Sequence, residues 1–536
     1  MNQYPLYEID TVSNLKELLN YCAEKHGDKV AFVWESKDKH FSVSFNDFKA
    51  DVNALAAYFV SLGFVNEKVA ILGENSYEWI VAFFAIAISG NVVVPIDKEL
   101  TECDITLLLT HSDSKALIYS ETYKEIVEAV NTNIELESIL GLKTDIRRII
   151  DTEKPLNIQE TENLKIEDDQ LCAIYYTSGT TGKPKGVMLS HKNLASNATN
   201  ACGNFYSSGN SIMFLPLSHT FSLVACLFGQ LYYGNTNVIN SDIRNISKDL
   251  LEFKPWLLFA VPQFVETMHK KIWESAKARK KEKKLRAAMI ISNILCKMGI
   301  DRRRILFKDV LVSLGGELEV IICGGAPLDK KLIKELHTFG INILNGYGIT
   351  ECSPIVSVNR NCFNKHGSAG PVIPGCEVKI VDGEIWVRGD NVMLGYYKDP
   401  QATQEVLIDG WFKTGDLGYL DEDGFLFVTG RIKNLILLSN SINVSPEELE
   451  AYLVKVDGVL EVLVYQENNG ITAEIYPDKS INNVETMIRR GVESLNNTLP
   501  KHKKIHEIKF RETEFSKTST RKIKRNCEGC SPNTKV

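Results

Sequence analysis

The sequence predicts an α/β protein: a large N-terminal domain of layered α/β subdomains plus a β-rich subdomain, then a small α+β C-terminal domain. Three observations lead there. Amphipathic helices alternate with short apolar strands through the first half of the chain, the pattern of parallel α/β layers. From about Gly383 the texture becomes β-rich, with turn pairs at Asp382-Gly383 and Asp423-Gly424. After Gly430 a separate α/β pattern follows, and 536 residues are too many for one core.

The elements follow in order. Periodicity predicts a helix over 45–62, a strand over 68–72, a helix over 78–89 and a strand over 116–120. The apolar stretch 79–96 is long enough to cross a membrane, but Ser89, Gly90 and Asn91 interrupt it. It therefore reads as a buried helix, a Gly90-Asn91 turn and a strand over 92–96. Residues 171–175 read as another strand. Residues 267–298 read as one long helical stretch carrying a basic run at 277–286, and Arg302, Arg303 and Arg304 follow. Such a run reads as a solvated helix face. Near the end come a helix over 446–456 and strands over 459–466 and 471–477. A boundary near Arg431–Lys433 gives domains of 1–431 and 432–536.

Composition narrows the class. Hydrophobic residues make up 44% and charged residues 24%, an ordinary globular balance, and a net charge of −7 argues against a general nucleic-acid partner. The first ten residues are polar and acidic, unlike a signal peptide. The 12 cysteines are scattered singly, except Cys527 and Cys530 in a polar tail. Both features suit a reducing, cytoplasmic compartment and no integral membrane span.

Four motifs carry chemistry. After the strand at 171–175, residues 177–186 offer hydroxyls at Thr177, Ser178, Thr180 and Thr181, glycines at Gly179, Gly182 and Gly186, and cations at Lys183 and Lys185. Glycines let backbone N–H groups approach an anion, and hydroxyls and ammonium groups add donors. The spacing is not that of the P-loop, because Pro184 follows Lys183. The second motif, Asn345-Gly346-Tyr347-Gly348-Ile349-Thr350-Glu351, places an aromatic ring, a hydroxyl and a carboxylate within five residues. A ring can stack on a purine, and a carboxylate can hold Mg²⁺ against phosphates. The third places Asp416 between Gly415 and Gly418, where a carboxylate can accept two ribose hydroxyls, and Gly430-Arg431-Ile432-Lys433 follows. The fourth is the basic segment 515–525, which includes Lys522.

Together and in this order, the motifs resemble those of the adenylate-forming superfamily, closest in look to medium- and long-chain acyl-CoA synthetases. The likeness covers nearly the whole chain. It implies an ATP-dependent acid–thiol ligase that forms an acyl-adenylate and passes the acyl group to a thiol. Its cofactors would be ATP, Mg²⁺ and coenzyme A, or the phosphopantetheine of a carrier protein. By this resemblance the loop 177–185 binds phosphates, Tyr347 packs on adenine beside Gly324, Gly325 and Ala326, and Asn345 and Gly346 line the nucleotide site. Thr350 contacts the α-phosphate, and Thr181 and Glu351 hold the metal. Asp416 and Arg431 take the ribose, Lys433 marks the hinge of a mobile C-terminal domain, and Lys522 offsets charge at the reacting carboxylate.

Two further segments follow from the same likeness. His219, Phe221, Val261 and Pro262 fall at the acyl pocket, with His219 a packing residue rather than a base. The run 215–229 holds no acidic residue, which points to an apolar acid rather than an amino acid. Ser439, Ser441 and Asn443 fall on the thiol tunnel, and Ser441 replaces a family glycine, as Arg521 does beside Lys522. The replacement at Ser441 raises a carrier-protein acceptor as an alternative to coenzyme A. A non-catalytic nucleotide-binding protein is a second alternative, opposed by the intact Lys183, Glu351, Asp416, Arg431 and Lys522. The likeness also adds a second reading of 270–304, as peripheral contact with a membrane or an entry element for a fatty acid.

Overall fold

The computed structural model describes residues 5–36, 39–153, 158–177, 184–326, 328–437, 443–468, 470–517, 523 and 525, and for 153, 158–160 and 443 only the backbone. The chain forms two compact units. The larger comprises Met1–Val378, Val387–Phe412 and Glu422–Phe425; the smaller comprises Lys379–Trp386, Lys413–Asp421 and Leu426–Val536.

Among the described residues, the larger unit holds a seven-stranded and an eight-stranded sheet. The seven-stranded sheet runs Gly395–Tyr396, Lys185–Ser190, Leu171–Thr177, Val92–Ile96, Lys68–Leu72, Ser114–Tyr119, Ser138–Gly141. Its pairings from Leu171–Thr177 through to Ser138–Gly141 are parallel, and the other two are antiparallel. The eight-stranded sheet is parallel in its centre, where Ser211–Met213, Leu257–Ala260, Val320–Cys323 and Asn342–Gly348 lie side by side. Antiparallel pairs close it at both edges. Strands buried on both faces must be apolar throughout rather than alternating, and Val92–Ile96 and Leu257–Ala260 are buried at every residue.

Helix Tyr77–Ile88 explains the long apolar stretch. Every residue in it except Glu78 is buried, so it is a core helix. The Ser76 hydroxyl caps its start by accepting from the Trp79 N–H. Gly90 turns the chain at φ 79°, and the buried Asn91 amide ties the turn to Glu67, Ser89 and Phe64. No helix among the described residues is long and apolar enough to cross a membrane.

The stretch 267–298 is not one helix. Helix Pro262–Ala278 ends where Lys280 adopts a left-handed conformation, φ 55°, and helix Glu282–Lys297 starts afresh. Cations three and four residues apart at Lys277, Lys280, Lys281 and Lys284 repel along a continuous helix, which favours the break.

In the smaller unit, strands Val459–Glu467 and Gly470–Pro477 form an antiparallel hairpin, with Glu507–Phe510 added in parallel. Helices Pro446–Leu453 and Val484–Thr498 pack their apolar faces on this sheet through Leu449, Leu453, Ile488 and Val492. Residues 416–420 pair antiparallel with strand Leu426–Arg431. A parallel α/β body and a small α+β unit are the architecture the sequence predicts.

One buried polar contact ties the helices of the larger unit together. The Tyr77 hydroxyl donates to the Asp51 carboxylate at 2.8 Å, and both residues are buried. Tyr77→Phe removes a donor to a buried charge, so we expect a loss of about 1–3 kcal/mol in folding stability. Urea unfolding of the full chain, followed by tryptophan fluorescence, measures it.

Candidate active site

The ends of the first motif are fixed by sheet register. Leu171–Thr177 and Lys185–Ser190 form a hairpin in which Tyr176 pairs with Gly186 and Thr177 with Lys185. The loop between therefore leaves the carboxyl end of a strand in a largely parallel sheet, the usual mouth for ligands in such folds. Ser178, Gly179, Thr180, Thr181, Gly182 and Lys183 lie outside the described residues.

The second motif stands at an edge of the other sheet. In Asn342–Gly348, Gly346 pairs with Val358 and Tyr347 with Ser357. Asn345 accepts at its carbonyl from the Asn359 N–H at 2.9 Å. Thr350 and Glu351 begin a single 3₁₀ turn ending at Cys352. The chain can double back here because Gly348 has no side chain: a Cβ at that position would lie 2.0 Å from the Pro354 carbonyl oxygen.

A segment not singled out in the sequence joins these two motifs. Strand Gly395–Tyr396 pairs with Lys185–Ser190, placing Tyr396 opposite Val187. The Met393 N–H donates to the Glu351 carbonyl, the Leu394 N–H to Met188 and the Tyr397 N–H to Gly186. The Tyr396 hydroxyl donates to Glu351 Oε1 at 3.0 Å, while Lys185 Nζ sits 4.7 Å from the centre of the Tyr396 ring. Burial, and next the Glu351 carboxylate, push the Tyr396 hydroxyl pKa far up, so it stays a donor. Lys185 and Glu351, 166 positions apart in sequence, thus share one aromatic bridge. The only signal in the sequence is Gly395-Tyr396-Tyr397, which reads as an ordinary strand end.

The candidate acyl segment adjoins the strand next to the second motif, where Cys323 pairs with Asn345. Phe221 opens a π-helical turn, Phe221–Phe228, whose remaining residues are buried. Its ring packs edge-on to Phe259, and a Cβ on Gly324 would come within 3.2 Å of it. The Gly324 N–H donates to Ala260 at 3.2 Å, so Gly324 stands next to Val261 and Pro262 at the start of helix Pro262–Ala278. Gly325, at φ 93°, and Ala326 follow and are exposed. A carboxylate reaches this segment from far away in the chain: Asp97 lies 3.4 Å from His219 Nε2. His219 thus stands beside a carboxylate contributed by a distant segment.

In the smaller unit, Asp416 and Arg431 face each other across a hairpin, with Arg431 Nε 2.7 Å from Asp416 Oδ1. Asp416 is 3% exposed. Its N–H donates to the Thr414 hydroxyl, and the Gly415 N–H to Glu384. Lys433 is exposed in a 3₁₀ turn at Ile432–Asn434. The tail is pinned on both sides of Lys522. An isolated bridge joins Lys517 to Ile523, and Lys517 is ion-paired with Glu461 and Glu514. Arg525 binds Glu450 at 2.6 Å and the Val464 carbonyl at 3.2 Å. Lys522, Ser439 and Ser441 lie outside the described residues, as does the Asn443 side chain.

The turn at Gly348 yields a sharp test. Gly348→Ala drives a methyl group into a backbone oxygen, which no rotamer can relieve. We expect about 1–3 kcal/mol of destabilisation and weaker ATP binding, read by thermal unfolding with and without the nucleotide.

Comparison with known proteins agrees with this architecture. The AMP-binding enzyme family model matches residues 19–397. Long-chain-fatty-acid–CoA ligase FadD15 of Mycobacterium bovis is 30% identical over 432 residues, covering 75% of this chain and 71% of that one. A long-chain-fatty-acid–CoA ligase of Salmonella typhimurium is 28% identical over 532 residues, covering 88% and 87%. The fold matches the crystal structure of the anthranilate CoA ligase AuaEII in complex with anthranoyl-AMP, with a TM-score of 0.78 at 22% identity over 97% of this chain and 96% of that one. With a family model spanning well over half its length, the chain belongs to the AMP-binding enzymes.

Proposed function

We propose that this chain is an ATP-dependent, AMP-forming acyl-CoA synthetase that acts on an apolar medium-chain, long-chain or aromatic acid. The observation that carries this reading is the joining of Lys185 and Glu351 through Tyr396, in a chain of this family. Its relatives from Mycobacterium bovis and Salmonella typhimurium are long-chain-fatty-acid–CoA ligases, which supports the substrate class.

In the first step a carboxylate oxygen of the acid attacks the α-phosphorus of ATP. The bond from that phosphorus to the bridging oxygen breaks, and pyrophosphate leaves with the electron pair. The residues position the groups and offset charge. Thr177 and Lys185, with Ser178, Gly179, Thr180, Thr181, Gly182 and Lys183, hold the phosphates. Tyr347 packs on the adenine, with Gly324, Gly325, Ala326, Asn345 and Gly346 around it. Thr350 donates to the α-phosphate, Asp416 and Arg431 hold the ribose, and Lys522 neutralises charge at the reacting oxygens.

Magnesium fits the donor set. Glu351 would serve as a hard oxygen ligand, with the Tyr396 hydroxyl orienting its carboxylate, and Thr181 would add a second oxygen. When bound, the ion neutralises phosphate charge. In the second step the thiol sulfur of coenzyme A attacks the acyl carbonyl carbon, and AMP leaves. By their place in the motif, Ser439, Ser441 and Asn443 are assigned to the approach of the thiol. Phe221, Val261 and Pro262 line the acyl pocket, with His219, held by Asp97, at its polar rim.

A pyrophosphate-release screen over aliphatic and aromatic acids tests the reading, run with coenzyme A, with a phosphopantetheinylated carrier protein and with neither. Apolar acids are expected to react fastest and coenzyme A to capture the acyl group. Faster release with acetate or with an α-amino acid than with every apolar acid overturns the substrate class. Transfer to the carrier protein alone overturns coenzyme A as acceptor.

The half-reactions separate the role of Lys522. Lys522→Ala is expected to slow adenylate formation by roughly 10²–10³-fold, the usual cost of one charge-stabilising group. Thioester formation from supplied acyl-AMP should change little. Rapid-quench assays of each half-reaction check this; equal loss in both removes Lys522 from its assigned role.

A further inference from the structure

Three side chains converge at the outer edge of the eight-stranded sheet. Glu35 stands on strand Val30–Ser36, His40 pairs with it on the edge strand Lys39–Ser44, and Glu252 stands on helix Ile246–Phe253. One oxygen of each glutamate and one nitrogen of the His40 imidazole all lie within 4.8 Å of one another. His40 Nε2 is 2.7 Å from Glu252 Oε1. The Phe253 ring packs on the imidazole, 5.7 Å between centres, which limits its rotation.

The surroundings add negative charge and an unmet polar atom. An open cavity of about 350 Å³ beside the cluster is lined by Glu35, Asn240, Asp242, Lys248, Asp249 and Phe253. It lies at the carboxyl ends of the parallel strands Val30–Ser36 and Asn237–Ile239, the end at which α/β sheets receive ligands. Asn240 is 5% exposed, and its Oδ1 meets no hydrogen-bond donor among the described residues. Its Nδ2 donates to Asp249 Oδ2 at 2.7 Å. Burial, against that hydrogen bond, raises the Asp249 carboxyl pKa, and the Glu252 and Glu35 carboxylates add to the rise. Three carboxylates thus crowd one another. Lys248 offsets part of their charge, its ammonium 2.7 and 2.5 Å from the two Glu35 oxygens.

We infer that Glu35, His40 and Glu252 bind a zinc ion, which ties the edge strand Lys39–Ser44 to helix Ile246–Phe253. Ligands of one zinc stand about 3.3 Å apart in a tetrahedron, so modest side-chain rotations close the cluster on the ion. Two carboxylates and a neutral imidazole cancel its double charge. The imidazole selects zinc over Mg²⁺ and Ca²⁺, which take oxygen ligands. Asn240 offers an unfilled acceptor on the cavity wall for a water on the ion. The ion takes the place of the Lys248 ammonium on Glu35, and that half-exposed side chain turns to solvent. The ion pairs alone are a weaker account, because exposed pairs contribute little and leave Asp249 crowded. An edge strand also invites pairing with another chain, and pinning it to a helix blunts that. The inference does not use the chemistry proposed above.

Titration calorimetry of the metal-stripped full-length protein with Zn²⁺, without nucleotide, tests this. The proteins compared carry His40→Gln/Glu252→Gln, Lys248→Gln or neither, each on a Cys527→Ser/Cys530→Ser background that removes the paired tail thiols as competing ligands. The double-glutamine variant is expected to bind zinc at least tenfold to a hundredfold more weakly, the scale for losing even a group that orients a metal ligand. Lys248→Gln is expected to bind it several-fold more tightly, because a competing charge is gone. Cobalt should give visible bands without the near-ultraviolet sulfur-to-cobalt band of a thiolate site, and the double variant should lose them. Zinc should raise the unfolding temperature of the unsubstituted protein and not that of the double variant, with matching circular dichroism. Failure to bind zinc, or equal affinity in the double variant, overturns the inference. So does unchanged or weaker binding by Lys248→Gln, which places the ion away from Glu35. Displacement of zinc by equimolar Mg²⁺ also overturns it, leaving an acidic patch only. Should the double variant not fold, the Lys248→Gln titration and the cobalt spectrum decide.

Discussion

The hairpin of Leu171–Thr177 and Lys185–Ser190 is the constraint on which the candidate site depends. One of its strands belongs to the parallel sheet through Val93 and Ala173, and the other accepts Gly395–Tyr396 at its edge. The two ends of the candidate phosphate-binding segment are therefore fixed by backbone hydrogen bonds of the flanking strands. The same edge strand carries Tyr396, so the register that closes the sheet also sets the distance from Lys185 to Glu351. A one-residue slip of Gly395–Tyr396 would turn the Tyr396 ring to the other face and break both contacts.

Much of the fold was legible because the strands are buried on both faces. Lys68–Leu72 and Val92–Ile96 stand where the apolar runs place them, and the Gly90 turn ends the apolar helix as expected. The helix break at Lys280 was not legible. Lysine is a good helix former, and its left-handed conformation answers to charge repulsion and tertiary packing rather than to propensity. The pairing of His219 with Asp97 was hidden for another reason: the two are 122 positions apart, and a window over 215–229 shows neither the acid nor the strand end that brings it. Tyr396 carries no signal in the sequence because its meaning lies in two partners from distant segments, Lys185 and Glu351.

The tail shows how structure narrows a choice that composition leaves open. Lysines and arginines crowd 517–525, and any of them could in principle face a phosphate. Lys517 is committed to Glu461 and Glu514. Arg525 is committed to Glu450, whose carboxyl burial pushes up and whose other oxygen accepts from the Val464 N–H. A cation held in a half-buried pair is costly to withdraw, because its partner is left charged without compensation. These two cations therefore serve as anchors, and an isolated bridge pairs Lys517 with Ile523. Lys517 and Arg525, held by these pairs, are thus poorly placed to turn to a phosphate, and the role proposed for Lys522 rests on its position in the motif.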